Sequence, residues 1–202
     1  MDATLLPSAG IRHDGEARWA GHRGRKPTHG TKAHVATDQG STPALNGLIR
    51  VVEVTTANVH DAAELDAVLP EAPGDVHADS AHAASRPEAT IRARGGTPRV
   101  VRTGTSVWPA SRARRDEPCL ARQGRDGRTW GGAEALARLQ AHNAEVSRAR
   151  GRTRKVFGTA KRSYGLRRVR WLGLARAGPQ VRLAAIAYNL CRSWRPLAIV
   201  PA

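Results

Sequence analysis

Between Val146 and Tyr164 the chain repeats its apolar residues at a spacing that a helix brings to one side. At about 100° per residue, Val146, Ala149, Val156, Phe157, Ala160 and Tyr164 fall within a sector roughly 100° wide. Arg150, Arg154 and Lys161 fall within about 40° of one another, along one border of that stripe. A helix that packs by one stripe and lays a row of cations beside it is built to face something anionic.

The rest of the chain carries the same bias. Its 202 residues hold 33 basic side chains against 17 acidic ones, a net charge of +16. Only four of the basic residues are lysines: Lys26, Lys32, Lys155 and Lys161. Such an excess points to a polyanionic partner, nucleic acid ahead of a membrane surface. Cys119 and Cys191 form no C-x-x-C pair, which argues against a zinc site or a disulfide scaffold and fits a cytoplasmic location. The N-terminus has no signal-peptide pattern, and the longest apolar run, Leu183 to Tyr188, is too short to span a bilayer. No Gly-Lys pair occurs, which excludes a nucleotide-binding P-loop.

Read in order, residues 2–6 suggest a short strand and residues 11–30 a polar loop. His29 to Asp38 and Gly47 to Thr55 read as two strands of a hairpin with a longish connection. Asp61-Ala-Ala-Glu64 opens a helix to about Leu69, and Gly74 to Asp79 reads as a buried strand ending in an acid. Pro87 to Arg94 suits a helix stopped by Gly95 and Gly96, and Pro98 to Arg102 another strand. Residues 103–129 have no apolar period and read as a disordered basic insertion within a domain spanning 1–195. A long helix from Gly132 to about Tyr164 allows a break at Gly151, and Pro179 should kink the last helix, Gly173 to Trp194, or delay its start. This order is α/β with one antiparallel hairpin and flanking helices.

The helical stretch also carries a resemblance. Arg150, position 154 and Lys161 have the spacing R-x3-E-x6-K found in the last catalytic helix of bacterial insertion-sequence transposases of the DDE type. The segment from Val156 to Arg168, Val-Phe-Gly-Thr-Ala-Lys-Arg-Ser-Tyr-Gly-Leu-Arg-Arg, resembles the short branch of that family almost word for word. Further matching segments run from Gly30 to Asp38, from Gly47 to Asp61 and from Leu183 to Leu190. The resemblance covers nearly the whole chain apart from 103–129. It implies a ribonuclease H-like mixed sheet and metal-dependent cleavage and transfer of DNA strands, with Mg2+ or Mn2+ held by acids from the first strand, the fourth strand and the last helix. Asp2 and Asp79 match the first two acidic positions and would be the metal ligands. Arg154 stands at the third, where the family has glutamate. DNA is the implied partner, with Arg150, Lys161, Arg162, Arg167, Arg168 and Arg170 as its expected contacts, and a homodimer is compatible.

Arg154 replaces a carboxylate by a permanent cation, which would pair with the aspartates in place of metal. Glu145 cannot stand in, because nine residues at about 100° each put it on the opposite side of the helix. The expectation is therefore a degenerate, truncated copy with catalysis lost, since relatives carry a DNA-binding segment ahead of the first aspartate. Two other readings compete with it: a non-enzymatic basic DNA-binding protein, and an RNA-binding protein unrelated to transposition. His77-x-Asp79-x-x-His82 is a further, weaker hint of a transition-metal cluster lacking a fourth ligand.

Overall fold

A computed structural model describes residues 1–11, 13–21, 26–39, 46–102, 122–123, 129–130 and 132–197. Most of the expected insertion at 103–129 lies outside the described residues. The chain divides into two compact units, one formed by Met1–Pro70 with Gly151–Ala202 and the other by Glu71–Arg150.

The first unit is built on β3 (Thr28–Gln39), which pairs antiparallel with β1 (Asp2–Pro7) along one edge and with β4 (Asn46–Thr56) along the other. A strand β2 (Arg18–Ala20) pairs with the start of β3. Because Gly30 is paired with both Pro7 and Arg18, β2 must lie on the β4 edge and prolong it. The expectation of a loop over 11–30 is thus corrected: its middle is a strand, and β3 begins at Thr28. Three residues that begin with arginine and are followed by glycine offer no period to read, and the pairing comes from β3 itself. Glycine is required at Gly30, where a β-carbon would collide with the carbonyl oxygen of Leu6.

Side chains alternate across this sheet. Register places Asp2 opposite Val35, Thr4 opposite Ala33 and Leu6 opposite Thr31, so these share one face with Val52 and Val54 of β4. On that face Leu6 and Ala33 join a core with Ala160, Leu166, Val169, Ala177, Val181 and Ala184. The opposite face carries Lys32, which donates to Asp61 at 3.0 Å, and His34, hydrogen-bonded to Thr55 at 2.9 Å. A 3-10 turn (Asp61–Glu64) and α1 (Leu65–Val68) follow β4, with Leu65 and Val68 buried.

In the second unit β5 (Asp75–Ala78), α2 (Ser85–Ala93) and β6 (Thr97–Val100) form a βαβ element, with β5 and β6 parallel. Gly95 at φ +76° ends α2 in the left-handed conformation that glycine adopts without steric cost. Glu88 on α2 is buried and accepts a hydrogen bond from Arg102 at 2.6 Å. Two short strands, β7 (Arg122–Gln123) and β8 (Thr129–Trp130), pair antiparallel.

Helix α3 (Gly132–Ser163) runs without a break through Gly151, whose cost of about 1 kcal/mol in a helix interior is outweighed by the burial of Val146, Val156, Phe157 and Ala160. Helix α4 (Leu174–Leu197) contains Pro179 in its second turn, and its start is not delayed to that proline. Asp14 and Glu16 cap it instead, accepting from the Gly173 and Leu174 N–H groups at 3.3 and 2.5 Å.

Two asparagines bind backbone peptides from the side, one in β4 and one just beyond β6. Asn189 on α4 accepts from Ile49 N at 2.9 Å and donates to Ile49 O at 2.8 Å. Asn143 on α3 does the same to Arg102, at 2.8 Å in both directions. Asn189→Ala removes both partners of the Ile49 peptide and should lower stability by about 1–3 kcal/mol in urea unfolding.

Candidate functional site

The expected site residues fall in different units, and each is taken in its own. Asp2 opens β1 on the face shared with Leu6, and the Gly151-to-Ser163 part of α3 covers that face. Thr153 is hydrogen-bonded to Thr37 at 2.8 Å, and the next residue, Arg154, reaches the start of β1. Arg154 Nε donates to Asp2 Oδ2 at 3.2 Å, while Asp2 Oδ1 accepts from Ala3 N at 3.0 Å. The Arg154 side chain is 63% exposed and Asp2 12%.

In the other unit Asp79 follows β5 and caps the 3-10 turn Ser80–His82, its Oδ1 accepting from Ala81 N at 2.8 Å. His82 Nδ1 lies 3.5 Å from Oδ1, and Arg150 Nη2 lies 3.5 Å from Oδ2. His82, the Ala81 N–H and the Arg150 guanidinium together hold the Asp79 carboxyl down to about 2, against the opposing effect of burial. It therefore stays ionised throughout the neutral range.

The six cations expected to meet DNA divide into two kinds. Arg162, Arg167, Arg168 and Arg170 are exposed. Arg150 is buried against Asp79, and half-buried Lys161 donates to Leu5 O at 3.1 Å, its pKa lowered by burial. Side chains on the border of an apolar stripe can turn inward when a strand carbonyl or carboxylate waits there.

Among the described residues, no three His, Cys, Asp or Glu side chains converge on a point, and His77, Asp79 and His82 make no such group. Asp2 in its unit and Asp79 in the other each face an arginine, so neither carboxylate by itself provides the several oxygen ligands that a divalent cation needs. No described helix is long and apolar enough to cross a membrane.

Several polar anchors had no reading in the sequence. Asp14 and Glu16 lie about 158 residues from the helix they cap, beyond any local pattern. Glu88 sits on α2 among polar neighbours and gives no sign that it is buried with Arg102. The aromatic pair Trp19 and His29 could have been suspected, since an aromatic side chain inside a basic run is a common mark of nucleic-acid contact.

The family model described as Transposase DDE domain matches residues 1–190, and the chain belongs to that family. It is a transposase of the DDE type, of a family whose work is DNA transposition and recombination. No curated protein and no solved structure matches it.

The two arginine–aspartate pairs should differ in worth. Arg154→Ala, which removes a largely exposed partner, should change stability by less than about 1 kcal/mol. Arg150→Ala, which strips a buried partner from a half-exposed carboxylate, should cost about 2 kcal/mol by thermal or urea unfolding.

Proposed function

We propose that this chain is the catalytic domain of an insertion-sequence transposase in a ribonuclease H-like fold, and that its own strand-cleaving activity is lost. The family match over residues 1–190 carries the reading. The three antiparallel strands β1, β3 and β4, followed by the parallel pair β5 and β6, support the fold. Asp2 and Asp79 stand at the first two acidic positions and Arg154 at the third. The loss of activity is argued from charge. A carboxylate that faces a guanidinium has its negative charge matched already, and position 154 offers no oxygen ligand.

Divalent metal and the nucleophile activation it provides are general to the family. The remaining function of this chain is then DNA binding by the exposed Arg162, Arg167, Arg168 and Arg170 in a cytoplasmic setting. The reading of a non-enzymatic DNA-binding protein shares that surface and differs only in ancestry. A homodimer, compatible with the family, belongs to the proposal as well.

The test is calorimetry with Mg2+ and Mn2+. The parent chain should bind neither, and Arg154→Glu, which changes the local charge by two units and restores an oxygen ligand, should bind measurably. Asp2→Ala in that background should abolish the gain. Equal binding by parent and variant would overturn the assignment of position 154.

Binding to duplex DNA should be weakly selective and strongly salt-dependent. With about four phosphate contacts, affinity should fall roughly 100-fold between 50 and 200 mM salt, read by fluorescence anisotropy. A flat salt dependence would remove the electrostatic surface from the argument.

A further inference from the structure

An open recess of about 610 Å³ lies within the first unit, away from Asp2, where the end of β1, the strand β2, the start of β3 and the segment after α3 meet. Its walls include Ile11, His13, Trp19, His29 and Arg168. Trp19 and His29 are cross-strand partners, their rings 5.2 Å apart and tilted by 58°. His29 Nδ1 is hydrogen-bonded to Ser8 Oγ at 2.9 Å, which fixes the imidazole, and Arg168 is held by donation to Ala9 O. Trp19 is nonetheless 55% exposed and Ile11 63%. The pairing of β2 with β3 therefore holds an indole at the surface, beside a pocket, with an anchored guanidinium in the same wall.

Rigid aromatic faces next to a cation, on a chain of net charge +16, match the two parts of a nucleotide. A base offers a π-face to the indole and its phosphate an acceptor to the guanidinium. Paired bases are stacked inside a duplex and cannot enter. A recess of this volume, within the range of about 300–1,000 Å³ typical of ligand pockets, admits a base outside the stack. We propose that this recess binds an unpaired nucleotide of DNA, its base against Trp19 and its phosphate at Arg168. The inference rests on the reading of DNA as the partner, and not on the acidic positions or a metal.

Fluorescence anisotropy of the full chain in metal-free buffer tests it, with a blunt duplex and the same duplex carrying a short thymine overhang. The overhang should tighten binding about tenfold, as one well-stacked base does. Trp19→Ala should erase that gain while leaving blunt-duplex affinity unchanged, and Trp19→Phe should retain most of it. An abasic overhang of equal length should lose most of the gain, which separates stacking from phosphate contact. Circular dichroism of both variants checks the fold, and a folded Trp19→Phe keeps the test open if Trp19→Ala does not fold.

No preference for the overhang in the parent, or a preference that survives in folded Trp19→Ala, would overturn the proposal. So would an RNA overhang bound more tightly than DNA and released by the same substitution, since the site would then belong to RNA. Failure of Arg154→Glu to take up metal would leave the overhang preference untouched, so the two readings fall separately.

Discussion

The pairing of β1 against β3 decides what the first unit can be. With Asp2 opposite Val35 and Leu6 opposite Thr31, alternate residues of β1 join the face that α4 and the later turns of α3 cover. A slip of one residue would send Leu6 out of the core and turn Asp2 to the other side. Strand β3 tolerates no such freedom. Ala33, His34, Val35 and Ala36 are buried in succession, so both faces of the sheet are in use. The position of the first aspartate and the packing of the core are thus one constraint.

Charge is distributed with the same economy. Although basic side chains outnumber acidic ones almost two to one, several cations of the long helix are turned inward to protein oxygens. Arg150 faces Asp79, Arg154 reaches Asp2, and Lys161 meets the carbonyl of Leu5. Among the cations that point outward is a cluster from Arg162, at the end of α3, to Arg170, in the segment that leads to α4. Gln180 steadies that segment, accepting from Arg170 N and donating to the carbonyls of Gly165 and Arg168. The exposed arginines therefore project from a braced turn, which limits the entropy lost when they meet phosphate.

Much of this was legible in the sequence because it is local. The hairpin of β3 and β4 announced itself by runs of Val, Ile and Thr, α2 by its terminal glycines, and α3 by its apolar stripe. The family membership followed from long segments in order. What could not be read depends on partners remote in the chain. Strand β2 exists because β3 offers it an edge, and Pro179 is carried inside α4 because Asp14, Glu16 and the core fix that helix on either side of it. The burial of Arg150 was equally hidden, since a guanidinium beside an apolar stripe looks the same in sequence whether it turns toward water or toward a carboxylate.

The two asparagine contacts bear on how this chain behaves in company. An exposed strand edge is a template on which a second chain can add a strand, and the row of free peptide groups is what makes it so. At Ile49 the outward N–H and C=O are both taken by the amide of Asn189, whereas the Arg102 peptide that Asn143 binds lies beyond the end of β6. A primary amide repeats the donor and acceptor of a peptide but ends there, so it completes the edge without passing it on. Asn189 thus acts as a one-residue strand that cannot propagate, guarding the β4 edge against fibrillar association with a side chain on a helix already in place.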